Sequence, residues 1–199
     1  MQTAAQRGLA LVRFVIDRAV SRFTVQAFAT GLLSAFGHNP SIGISDYDGD
    51  AQCVPETFEK AVVSLRVRTA AMDVLDEMKN DDRKKLEQVM YDQVLEPQRF
   101  PDAVYESTQI TVQKLGDDLL VAHVTGELTF HGARRSHSFD ARVMRLGTML
   151  RVSGEFPLRL SDFEIKPVSF AGGALRLKDE VKFNFELVAR MDEESNSNS

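Results

Sequence analysis

The chain has one cysteine, Cys53, in 199 residues. That count excludes an intrachain disulfide and a multi-thiolate metal site, and Cys53 reads as a free buried thiol. No run of about 18 uncharged apolar residues occurs, so no membrane-spanning helix is expected. The apolar stretch from Gly8 to Ile16 is broken by Arg13 and runs straight into Asp17 and Arg18, with no small-residue cleavage site behind it. The chain as given therefore reads as cytoplasmic; a periplasmic location would require an N-terminal extension. Basic charge is also scarce. With a net charge of −5 and a pI near 5.4, a general nucleic-acid binder is not expected.

Motifs that announce chemistry are missing too. The sequence has no G-x-x-x-x-G-K or G-x-G-x-x-G phosphate cradle, no H-E-x-x-H and no G-x-S-x-G elbow. Four histidines remain. His123 and His131 fall in one polar row of a strand, about 26 Å apart at roughly 3.3 Å per residue, and cannot share a metal. Strand parity places His131 on the outer face and His137 on the inner one, beside Phe139. Asp140, Ser138 and His137 do not form a triad, because neighbours along a strand point to opposite faces. His38 follows Gly37 in a connection between strands, where it caps a turn or faces a cavity mouth. No catalytic residue and no metal ligand is expected.

What is present is a core and a strand pattern. The chain is 43% hydrophobic and 27% charged, with 13 Phe, enough for one packed domain over residues 1–190. Residues 191–199 read as a disordered polar tail. Alternation dominates. Phe23, Val25 and Ala27 share a face, as do Val63, Leu65 and Val67. Leu120, Ala122, Val124, Gly126, Leu128 and Phe130 make the longest row, and Phe139, Ala141 and Val143 the next. Further rows run through Leu150, Val152, Gly154, Phe156 and Leu158, and through Val181, Phe183, Phe185, Leu187 and Ala189. Residues 103–113 are rich in β-formers but alternate less cleanly. Ser41 to Cys53 reads as two short strands joined by a turn at Asp46-Tyr47-Asp48-Gly49.

About eight strands result, most with short turns that favour antiparallel neighbours. One helix interrupts them: Asp81 to Val94 carries Leu86, Val89, Met90 and Val94 at helical spacing, with Asp81 or Asp82 as the cap. A short helix or turn is expected at Ser161-Asp162-Phe163. With one apolar row per strand and one helix to cover them, the fold class is all-β with one helix, an antiparallel barrel or a dry sandwich. An eight-stranded barrel either packs its interior or holds one small ligand.

Several segments resemble the YceI-like family. Ile16-Asp17-Arg18-Ala19-Val20-Ser21-Arg22-Phe23-Thr24-Val25 is similar to the family's opening strand, and residues 99–108 to its "Y/F-P-x-I-x-F-x-S-T" segment. Gly126 to Ala133 is similar to its "G-x-L-T-I-H-G-V" hairpin, and Leu177 to Val181 to the approach to its last strand. Ser161-Asp162-Phe163 matches "S-D-F-G" except that Glu164 stands in place of Gly. Asp82-Arg83-Lys84-Lys85-Leu86 replaces the family's "R-D-x-H-L", so the His of that segment is lost.

The resemblance implies an extended antiparallel eight-stranded lipocalin-like β-barrel that binds a long apolar isoprenoid-type lipid, a polyprenyl chain or an isoprenoid quinone. It also implies a homodimer, with no cofactor apart from such a lipid. The wall residues expected from the inward rows are Phe23, Val25, Leu128, Phe130, Phe156, Phe163, Phe183 and Phe185, with His38 or Asp162 to orient a head group. The alternative is a packed barrel whose surface, or helix 81–94, serves as a protein-interaction or stress-related module; an enzyme built on His38 or on the His131/His137 turn is the third reading.

Overall fold

The computed structural model of the chain describes residues 11–31, 39–166, 168–170 and 175–192. Its strands are β1 (Val12–Ile16), β2 (Arg22–Gln26), β3 (Ala29–Gly31), β4 (Ser41–Ile44), β5 (Tyr47–Cys53), β6 (Val62–Arg68) and β7 (Met72–Val74). After the helix come β8 (Asp102–Lys114), β9 (Leu119–Phe130), β10 (Ala133–Leu146), β11 (Met149–Arg159), β12 (Ser169–Phe170), β13 (Leu175–Leu177) and β14 (Glu180–Met191). Strands β1, β5, β6, β8, β9, β10, β11 and β14 pair in that order, and β1 pairs β14 to close an eight-stranded antiparallel barrel. The lipocalin-like barrel expected from the sequence is the fold observed.

Three neighbouring staves are broken part-way. A 3-10 turn at Arg18–Val20 separates β1 from β2, and both pair the unbroken β14. Beyond the breaks, β14, β2, β4 and β7 pair in that order. Ser21 sutures the first break: its Oγ donates to the Asp17 carbonyl at 2.7 Å and accepts from Val188 N at 2.9 Å. The β4–β5 break falls at Ser45-Asp46, so the expected turn at Asp46–Gly49 is not one. Tyr47 and Gly49 are inward residues of β5, Tyr47 only 2% exposed, and the polar look of the segment comes from its outward Asp46 and Asp48.

Two strands exceed their sequence signals. The apolar stretch weighed as a leader supplies β1, with Val12 and Phe14 buried and Arg13 and Val15 outside. Strand β10 begins at Ala133, well ahead of its apolar row at Phe139, because the turn is only His131-Gly132 and Arg134 and Arg135 are already paired to β9. The poor alternation of β8 has a cause in a register shift between Ser107 and Gln109. A small separate sheet, β12-β13-β3, brings Leu177 of β13 against the barrel core and onto the cavity wall.

Helix α1 (Asn80–Val89) continues into a π-helical segment, Met90–Leu95, ending at Glu96 in the left-handed region. Its N-cap is Lys79, without a side-chain cap, rather than Asp81 or Asp82; those two carboxylates lie in the first turn, where the helix dipole favours them. The helix lies along the edge of β7. Arg83 donates to the carbonyls of Val74 and Asp76, Tyr91 OH donates to the Met72 carbonyl, and Glu87 accepts from Val74 N at 3.4 Å. Helical side chains thus take the place of a strand partner there. Strand β14 runs through Met191, and the expected tail beyond 192 lies outside the described residues. No described helix is long and apolar enough to cross a membrane.

Candidate functional site

Inward rows from every barrel strand enclose a cavity of about 290 Å³, near the lower end of the range for ligand pockets. The π-helical segment contributes Met90, Val94 and Leu95 to the wall. Aromatic rings form much of the wall in between. Phe156 stacks on Phe183 (centroids 5.0 Å apart, planes 9° apart) and on Phe139 at 5.2 Å. Phe139 meets Phe185 edge-on at 5.8 Å, and Phe23 lies 5.9 Å from Phe183. Such pairs add about 0.5–1.5 kcal/mol each beyond burial, so the wall is held in place before any ligand arrives.

Two inward glycines make room for rings. A Cβ on Gly154 would meet Phe185 Cζ at 2.6 Å and the Asp140 carbonyl at 2.7 Å. One on Gly126 would meet the Glu106 carbonyl at 2.4 Å and the Tyr105 ring at 2.7 Å.

Polar groups on the wall are few. Asp50 and Ser64 border the cavity, yet their side chains bond away from it, Ser64 Oγ donating to Asp50 and Arg13 Nε reaching Asp50 at 3.2 Å. Tyr105 donates its hydroxyl to the His137 carbonyl at 3.2 Å, and burial pushes its pKa to about 12. His137 lies on the wall as strand parity expects, its ring 4.9 Å from Phe156. Burial holds its imidazole below the usual range, and Nε2 is buried with no hydrogen-bond partner among the described residues. No lysine or arginine occurs among the described lining residues.

Of the wall residues expected from sequence, Phe23, Val25, Leu128, Phe130, Phe156, Phe183 and Phe185 all line the cavity. Phe163 does not: it is 2% exposed and packs on Phe130 at 5.6 Å, outside the lining. Asp162 is exposed on the 3-10 turn Leu160–Phe163, and the structure does not bring it to the cavity. His38 lies outside the described residues. Strand parity places His137 inward without marking it as a ligand contact; the signal is an imidazole heading the apolar run Phe139, Ala141 and Val143.

His131 departs from its expected outer face. It is a turn residue with φ of 48°, which breaks the strand's parity. Its ring, only 10% exposed, is clamped between the Phe163 carbonyl (Nδ1, 3.2 Å) and Glu96 (Nε2, 2.9 Å), with Phe100 at 4.2 Å. Arg99, then His131, hold the Glu96 carboxylate below its ordinary range. The clamp joins the helix end, the β9–β10 turn and the 3-10 turn over one end of the barrel. Glu164, where the resemblance has Gly, adopts the left-handed φ of 62° that Gly would take. His123 pairs with Asp140 at 2.7 Å on the outer face. No cluster of three or more metal-ligating side chains is found among the described residues.

Residues 14–189 match the sequence profile of the YceI-like domain family. Among solved structures, the chain is similar to Burkholderia cenocepacia BcnA (18% identity, TM-score 0.67, covering 87% of this chain and 98% of that one). It is also similar to a polyisoprenoid binding domain from Saccharophagus degradans implicated in plant cell wall breakdown (13%, TM-score 0.65, 90% and 98%). A Campylobacter jejuni YCEI protein is 17% identical with TM-score 0.60, covering 76% and 85%. No curated protein has a sequence that matches this chain.

Proposed function

The chain belongs to the YceI-like domain family, and from that premise we propose that it binds a long isoprenoid-type lipid, a polyprenyl chain or an isoprenoid quinone, inside its barrel. The reading is one of sequestration or transport rather than catalysis. The observation that carries it is the cavity: an interior space walled by apolar side chains from every stave, with seven of the rings and aliphatic groups expected from the sequence on its surface. A chain without hydrogen-bonding groups gains affinity there from burial alone, at about 25 cal/mol per Å² of apolar surface. The similarity to a polyisoprenoid binding domain supports the same ligand class.

Native mass spectrometry of the purified protein, followed by organic extraction, tests this. A stoichiometric long-chain isoprenoid is the expected result. A protein that arrives empty and takes up neither quinones nor polyprenyl lipids would overturn the proposal. The homodimer implied by the family resemblance is part of the same proposal, and the intact mass measured in that experiment reads it directly.

A further inference from the structure

Resting on the lipid-binding reading above, we propose that His137 is a hydrogen-bonding anchor for a neutral oxygen, a carbonyl or a hydroxyl, on the bound isoprenoid. Several observations converge on this residue. Its imidazole lies on a mostly apolar wall, flanked by Phe139 and Phe156. Nε2 is buried and unpartnered among the described residues, and a buried polar atom without a partner is costly to keep. Apolar residues of the same shape would fill the position without that cost. Tyr105, the neighbouring polar side chain, already spends its hydroxyl on the His137 carbonyl and leaves the ring free.

The same surroundings select the oxygen's charge. Desolvation keeps the imidazole neutral, and no cationic side chain occurs among the described lining residues to meet a phosphate. His137 lies four residues beyond Ala133, the start of β10. That is about 13 Å along the strand, so a group bound there sits inside the barrel and not in water. A quinone carbonyl or a prenol hydroxyl satisfies these conditions. A phosphorylated head group does not, and a pure hydrocarbon leaves Nε2 as it is.

The test is calorimetric titration of delipidated protein with four probes: decyl-benzoquinone, geranylgeraniol, geranylgeranyl phosphate and squalene. The wild type is expected to bind the first two, and to bind the alcohol at least about fivefold more tightly than its phosphate. His137→Phe should weaken both oxygenated neutral probes about fivefold while leaving squalene unchanged, and His137→Gln should recover part of the loss. Equal weakening of squalene would reduce His137 to a packing residue and overturn the inference. So would unchanged affinity for the oxygenated probes, or a wild-type preference for the phosphate. The wild-type ranking stands even where a variant fails to fold. If no probe binds the wild type and no lipid is extracted from it, the lipid-binding reading itself falls; binding with the wrong ranking sinks this inference alone.

Discussion

Phe14 and Phe156 both point into the same barrel, yet they live in different environments. Phe14 on β1 is 1% exposed and belongs to a buried cluster with Val12, Cys53, Leu120, Val124 and Ala189. Phe156 on β11 is only partly buried, because its ring faces the cavity among other rings. Phe156 lines the cavity and Phe14 does not, so the first borders space held open and the second a packed part of the wall. The difference separates residues that hold the fold from residues that meet a ligand.

Replacing Phe14 by Ala should therefore cost about 3–5 kcal/mol, and replacing Phe156 by Ala about 1–2 kcal/mol, measured by urea denaturation of delipidated protein. The reverse order would break the comparison. Lipid retention should follow the opposite ranking among variants that still fold. Gly126→Ala comes next, at about 1–3 kcal/mol, since the added Cβ meets a backbone carbonyl that cannot rotate away. A melting temperature equal to wild type would show that β8 and β9 can part there without penalty.

The clamp over the barrel end yields a pH effect. The folded Glu96 carboxylate titrates below its ordinary value of 4.5, so its contribution is complete above that pH and is lost as the pH falls through the lowered value. Glu96→Gln should flatten the acid limb of a melting-temperature profile and leave the neutral region shallow. An acid limb as steep as wild type would remove Glu96 from that account. The smallest expected effect concerns Cys53. Burial pushes its thiol to about 11, so thiol reagents at pH 8 should leave the folded protein unmodified over hours. Rapid labelling would show that the cluster around Cys53 opens more readily than its burial implies.

Strand parity carries most of the fold and much of the wall in the sequence, because β2, β6, β9, β10, β11 and β14 each keep a largely apolar inner row. It fails where something other than alternation decides. At His131 a left-handed turn resets the register, and the ring goes to Glu96 and Phe163 instead of water. At β1 the outward row runs Leu11, Arg13 and Val15, with Leu11 and Val15 50% and 37% exposed, so a single arginine is all the polar face the strand has to announce it. Phe163 and Asp162 belong to a 3-10 turn, whose direction no period-two pattern reports. His137 is legible in position but not in role, since a histidine beside Phe139 and Ala141 reads as core until its nitrogen is seen to lack a partner.

The side-chain fastening of β7 has a consequence for life in a crowded solution. A closed barrel offers no unpaired backbone to another molecule, but a stave that breaks away from its neighbour does. Arg83, Glu87 and Tyr91 occupy the hydrogen-bonding groups of that stave with side chains too irregular for an incoming strand to copy. The helix thus denies a template to edge-to-edge polymerisation, through three side chains that lie outside the cavity lining.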